Sequence, residues 1–198
     1  SFLKEQLDSL FSQTFQDFYL TIRDDGSSCD IKLKISNLLK NYSSQKITFF
    51  SEHNIGLNNS FFKLLTLSKD ADYYSFCDQD DVWFSSKLNN SLEKLQNYKD
   101  IPALYMSKVV ITDSKLNPVR ETSMFKPSFS NALVQNIANG CTFVFNSLAR
   151  KLFLSYIPKK CLIYDWWCYL VCSSIGYVYF DKNPTLLHRQ HDNNDIGK

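Results

Sequence analysis

The sequence predicts an α/β domain with a mainly parallel sheet flanked by helices, and three observations lead there. Apolar residues at helical spacing alternate with short continuous apolar runs of strand length. Acidic clusters sit directly past two of those runs, which is where ligands of such sheets bind. The chain has 198 residues, 44% of them apolar and 15% aromatic, enough to close one core around a sheet.

The elements follow in order. Phe2, Leu3, Leu7, Leu10 and Phe11 have helical spacing, and Phe18 to Arg23 reads as a short buried strand ending at Asp24, Asp25 and Gly26. A helical pattern over Ile31 to Leu39 leads to the β-prone run Ile47 to Phe50, closed by the loop Ser51 to Gly56. Phe61, Phe62, Leu64 and Leu65 form the stripe of a third helix, and Tyr73 to Cys77 is a strand running into Asp78, Gln79, Asp80 and Asp81. After a helix carrying Leu88, Leu92 and Leu95, Leu104 to Ile111 reads as one strand, followed by an irregular stretch with Pro118 and Pro127. Ala138 to Asn146 holds a strand, Ile163 to Ser174 a helix, and Tyr177 to Phe180 a strand before the segment Pro184 to His191. A doubly wound sheet normally opens with a strand. This chain opens in a helix, so an opening strand is expected upstream and the unit is read as N-terminally truncated.

The balance of 22 basic against 20 acidic residues gives a net charge of +2 without single-sign blocks, which argues against a nucleic-acid partner. The six cysteines include no CxxC pair and follow no secretory signal, so reduced, mostly buried thiols are expected. Cys168 and Cys172 read as small core residues rather than a metal pair. No apolar run approaches the roughly 20 residues that span a bilayer, and the expected location is the cytoplasm.

The chemistry concentrates at Asp78-Gln79-Asp80-Asp81. Carboxylates crowded on a tight turn repel each other unless a cation or solvent relieves them, and Mg²⁺ or Mn²⁺ held there retains positions for phosphate oxygens. The same turn also reads as a solvated acidic loop, and Asp81, just before a helix, as a cap, which ranks it below Asp80. Asp24-Asp25-Gly26-Ser27 reads either as a conformational turn or as a base- and ribose-recognising one. Asp165, beside Trp166 and Trp167, is either a general base with a raised pKa or a helix N-terminal acid next to core indoles. His188, Arg189, Gln190 and His191 offer metal and phosphate contacts; strand alternation puts the two histidines on opposite faces, so one of them is expected to reach a metal.

In this order the motifs resemble the family-2 glycosyltransferases of the GT-A fold, a Rossmann-like architecture, and especially bacterial rhamnosyltransferase-like members. The resemblance runs through Phe2-Leu3-Lys4-Glu5-Gln6-Leu7-Asp8-Ser9-Leu10, Ser12-Gln13-Thr14, Arg23-Asp24-Asp25-Gly26-Ser27, Asn54-Ile55-Gly56 and Phe76-Cys77-Asp78-Gln79-Asp80-Asp81-Val82-Trp83. It resumes at Asn139-Gly140-Cys141-Thr142 and Tyr164-Asp165-Trp166-Trp167 and ends at His188-Arg189-Gln190-His191-Asp192-Asn193-Asn194. It implies a single domain over residues 1–198, with a nucleotide-sugar-binding half to about residue 100 and an acceptor-binding half after it. It also implies that Asp25 recognises the base, that Asp78 contacts the ribose or diphosphate, and that Asp80 and His191 hold a divalent metal, Mn²⁺ or Mg²⁺; Arg189 is expected among the nucleotide-sugar contacts. Asp165 takes the place of the catalytic base, with Trp166 and Trp167 on the acceptor side.

The function so implied is inverting transfer of a sugar, with rhamnose suggested, from a dTDP- or UDP-sugar donor to a glycan or lipid-linked acceptor. The setting is bacterial surface polysaccharide synthesis, with peripheral association at the inner face of the membrane. Two rivals use the same residues: a non-catalytic nucleotide-sugar-binding module lacking the first strand, and a metal-dependent phosphohydrolase or nucleotidyltransferase.

Overall fold

The computed structural model describes residues 2–137, 139–159 and 163–191. Helix α1 (Leu3–Phe11) leads to strand β1 (Leu20–Asp25), helix α2 (Cys29–Leu39), β2 (Ile47–Glu52) and α3 (Leu57–Leu67). Then come β3 (Tyr73–Ser75), β4 (Val82–Trp83), α4 (Lys87–Leu95), β5 (Ala103–Ser107), β6 (Val110–Thr112) and β7 (Pro118–Glu121). The short α5 (Phe129–Ala132), β8 (Val144–Asn146), α6 (Ser147–Ser155), α7 (Tyr164–Ile175), β9 (Tyr177–Asp181) and β10 (Leu186–Arg189) complete the order.

The expected mainly parallel sheet is corrected to a mixed one. β1–β2, β6–β10 and β5–β9 are parallel. β4–β10, β3–β8, β5–β8 and β6–β7 are antiparallel. In the sheet of order β3-β8-β5-β9 the reason is β8, which enters between β3 and β5 and runs against both; in the sheet of order β4-β10-β6-β7 the two outer strands run against their neighbours, and β1-β2 form a separate pair. Both four-stranded sheets therefore draw strands from either side of residue 100.

The run Leu104 to Ile111 is likewise two strands, broken where Lys108 N–H turns to the Asp181 carbonyl. The irregular stretch contains β7, reached through a turn in which Asp113 Oδ1 accepts from the amides of Lys115 (2.8 Å) and Asn117 (2.9 Å). The first strand runs through Asp24 and Asp25 instead of stopping before them, and Gly26, at φ +89°, makes the turn.

β5 is buried along its whole length and its side chains alternate. Leu104 and Met106 join Phe143, Phe145, Phe61, Phe62 and the inner face of α7, whereas Ala103 and Tyr105 pack with Leu95 and Val144. Cys168 and Cys172 lie in the first of these cores, as expected; the cysteines among the described residues are free thiols, and Cys29 is exposed. Among the described residues no helix is long and apolar enough to cross a membrane.

Helix α1 braces the segment after β3. Gln6 and Ser9 lie on one side of it, and Gln13 follows just past its end. The Gln6 amide donates to the Asp78 carbonyl, Ser9 Oγ accepts from Trp83 N–H at 3.1 Å, and Gln13 bonds the Phe84 carbonyl (2.9 Å) and Leu88 N–H (3.1 Å). The acidic turn thus lies between α1 and β10.

Candidate active site

The fold brings the acidic turn and the terminal histidines together. His191 Nε2 is 2.9 Å from Asp80 Oδ2, and His188 Nδ1 is 2.9 Å from Asp81 Oδ1. Alternation leads one to expect a single histidine at the turn; both meet it because β10 ends at Arg189 and His191 lies beyond the strand. Asp81, ranked below Asp80 in the sequence, is fully buried, and its Oδ2 has no hydrogen-bond partner. Burial opposes charging of His188, but the hydrogen bond and charge of Asp81 outweigh it and raise its pKa.

Asp78, half-buried, faces the same group. Burial and the charges of Asp81 and Asp80 push its pKa to about 7, opposed by His188, and the charge of Asp165 also reaches it. Among the described residues, Asp81, Cys141 and His188 offer ligand atoms within 4.8 Å of one another. Two imidazole nitrogens facing two carboxylates, with a buried unpartnered oxygen beside them, form a donor set that suits a divalent cation such as Mn²⁺. Lys87 is a residue the sequence reading missed. It is fully buried, its Nζ 2.6 Å from the Cys141 carbonyl and 3.2 Å from the centre of the Trp83 ring, and burial lowers its pKa to about 8.

Arg189 is the residue read as a phosphate contact. It is 2% exposed, with Nε 3.0 Å from the Asp80 carbonyl, Nη1 2.7 Å from the Ser114 carbonyl and Nη2 paired with Glu5, and its guanidinium lies over Phe2. Its donors serve the protein, tying α1, the 113–117 turn and the acidic turn to β10. Phe2 also packs against the His191 ring at 5.0 Å.

Asp25 stands apart from this group, at the end of β1. Its Oδ1 accepts from Ile55 N–H (2.9 Å) and from buried Arg23, and its Oδ2 from Gly56 N–H (3.0 Å), so it fixes the loop after β2. Asp24 is held by Ser27 N–H and Ser51 Oγ, both at 3.2 Å.

Asp165, in the first turn of α7, is 4% exposed. Its Oδ2 accepts from Gly140 N–H at 2.8 Å; its Oδ1 accepts from Asn136 Nδ2 at 2.9 Å and Trp166 N–H at 2.6 Å. Burial raises its pKa to about 6 against the pull of those bonds. Trp166 Nε1 donates to the Ala132 carbonyl at 2.7 Å, and Trp167 packs against Tyr156. Asp192, Asn193 and Asn194 of the terminal motif, Ala138 and Cys161 lie outside the described residues.

With this geometry in view, the comparisons decide the family. Residues 1–156 match the model of glycosyl transferase family 2. The chain belongs to that family. It is 26% identical to the dTDP-rhamnosyl transferase RfbG of Shigella flexneri, over 98% of this chain and 70% of that protein. The fold is that of TarS 1–349 of S. aureus, solved with UDP-GlcNAc, at a TM-score of 0.69 and 15% identity over 97% of this chain and 56% of that one. The mannosyltransferase PcManGT of Pyrobaculum calidifontis, solved with GDP-Man and Mn²⁺, gives 0.66 at 13% identity over 96% of this chain and 52% of that one. The α/β GT-A-like fold is therefore established. This family-2 chain spans little more than half the length of those solved chains.

Proposed function

We propose that this chain is the catalytic core of an inverting glycosyltransferase, which moves a sugar from a nucleotide-diphosphate donor to an acceptor hydroxyl in bacterial surface polysaccharide synthesis. One observation carries the reading. The Asp78–Asp81 turn meets His188 and His191 directly, while a separate buried carboxylate, Asp165, stands within electrostatic range of Asp78. This proximity supports reading the turn as an ion site and Asp165 as a base acting on the same substrate. The dTDP-rhamnosyl transferase relative supports a dTDP donor and rhamnose, and a glycan or lipid-linked glycan is the proposed acceptor.

In this reading Asp80 and His191 hold the divalent ion, with Asp81 and His188 beside them. When bound, that ion supplies positive charge for the departing diphosphate. Asp78 faces the ribose and diphosphate side, and the Asp25 turn with the Ile55 and Gly56 amides frames the base. Asp165 takes the acceptor hydroxyl proton as the new bond to the anomeric carbon forms and the bond to the diphosphate oxygen breaks. A base on the face opposite the leaving group gives inversion.

The test is a transfer assay that follows both nucleoside diphosphate release and the glycoside formed, using dTDP-rhamnose first and then UDP-sugars. Asp165→Asn is expected to bind donor and lose transfer. Phosphate or pyrophosphate release without a glycoside would contradict the reading.

A further inference from the structure

This inference rests on Asp165 being the base and asks what sets its geometry. Two of the three donors to its carboxylate, the amides of Gly140 and Trp166, are backbone groups that almost any residue supplies. The third is a side chain, Asn136 Nδ2, at 2.9 Å from Oδ1. The segment bearing Asn136 is pinned on both sides, by the Trp166 indole on the Ala132 carbonyl and by Ile137 in the core. A carboxylate has about four lone-pair positions. Of the donors from other residues, Oδ1 holds two and Oδ2 one, so Oδ2 is the less occupied oxygen.

The other end of the same amide is unusual. Asn136 Oδ1 is buried and has no hydrogen-bond partner. Turning the amide over would set its oxygen against a carboxylate that only accepts, so the nitrogen must face Asp165 and the oxygen is left without a donor. An unpaired buried acceptor costs stability, and folded chains keep few of them. A chain selected for stability alone would place an apolar residue here.

We propose that Asn136 is a positioning residue for the base, holding Asp165 Oδ1 so that the less occupied Oδ2 is the oxygen presented to the acceptor hydroxyl. Its bond also favours the ionised carboxylate, since it pulls against the burial that raises Asp165 to about 6. The titratable groups facing Asp165 are Asp78 on the acidic turn and Tyr164 on α7.

The test is Asn136→Leu, which keeps the branching at Cγ without polar atoms, with the smaller Asn136→Ala as a second variant. The measurements are thermal unfolding, the Asp165 carboxyl titration by ¹³C NMR assigned against Asp165→Asn, and steady-state transfer. For Asn136→Leu the expectation is a melting temperature equal to or above the parent's, an Asp165 titration moved up by about one pH unit, and kcat reduced about tenfold with donor affinity unchanged. Asn136→Ala moves the titration the same way. A lowered melting temperature with an unmoved titration would make Asn136 merely structural and overturn the proposal. If Asp165→Asn is inactive while both Asn136 variants titrate and transfer like the parent, this inference alone falls. If Asp165→Asn transfers at the parent rate, the base assignment falls and takes this inference with it.

Discussion

His191 Nε2 lies 2.9 Å from Asp80 Oδ2, a contact between residues 111 positions apart in the chain. If that pair holds the ion, removing either side weakens it. His191→Ala is expected to lower Mn²⁺ affinity about tenfold or more, and Asp80→Ala to abolish metal-dependent donor binding. Calorimetric titration with Mn²⁺, then with donor, checks both. Unchanged Mn²⁺ affinity in His191→Ala would move the site to Asp81, Cys141 and His188.

Asp165 predicts a pH signature. Its pKa is about 6 in the folded chain against an ordinary 3.8, so between those values the folded state binds the extra proton. Its contribution to stability is full below pH 3.8 and is lost as pH rises through about 6. Asn at this position does not titrate. Asp165→Asn should therefore gain stability relative to the parent as pH rises from about 4 through about 6, by on the order of 3 kcal/mol, and level off above that. Denaturant unfolding across this range measures the difference, and the acidic limb of kcat/KM should fall in the same window. A pH-independent difference would mean that Asp165 keeps an ordinary pKa.

Gly140 has no room for a side chain. A Cβ there would stand 2.7 Å from Tyr164 Cζ, and Gly140 N–H is one of the donors to Asp165. Gly140→Ala should cost about 1–3 kcal/mol by overpacking and should lower transfer while sparing Mn²⁺ binding. Urea unfolding and calorimetry separate the two effects.

Arg189 separates a structural role from a phosphate contact. With Glu5, the Ser114 carbonyl and the Asp80 carbonyl as partners, Arg189→Lys cannot reproduce the fork of donors and should lower stability by about 2 kcal/mol or more. A phosphate contact would instead give lost donor affinity at parental stability. Thermal unfolding and donor titration of this variant discriminate between them.

How much of this is legible in the sequence depends on the kind of signal. The acidic turn stands out because its carboxylates crowd directly after an apolar strand, although by itself it reads equally as a solvated loop, and the helix stripes and most strands follow from periodicity. Helix α6 carries an available cap that the reading passed over: Asn146 Oδ1 accepts from Ala149 N–H at 2.9 Å. The antiparallel entry of β8 is a topological fact with no local pattern. Arg189 between two histidines resembles an anion contact, and its partner Glu5 lies 184 positions away, where no spacing rule connects them. Lys87 reads as a solvated helix residue, yet it folds inward to the Cys141 carbonyl and the Trp83 ring. Asn136 is one polar residue in an irregular segment, and only its contact with Asp165 distinguishes it.

The central claim is an ion-dependent nucleotide-sugar site on the Asp80–His191 pair. Calorimetric titration of the chain with dTDP and UDP, each with and without Mn²⁺, tests it most directly. Binding of at least one nucleotide should require Mn²⁺ and disappear in Asp80→Ala. Binding that is indifferent to Mn²⁺, or no binding of either nucleotide in its presence, would contradict it.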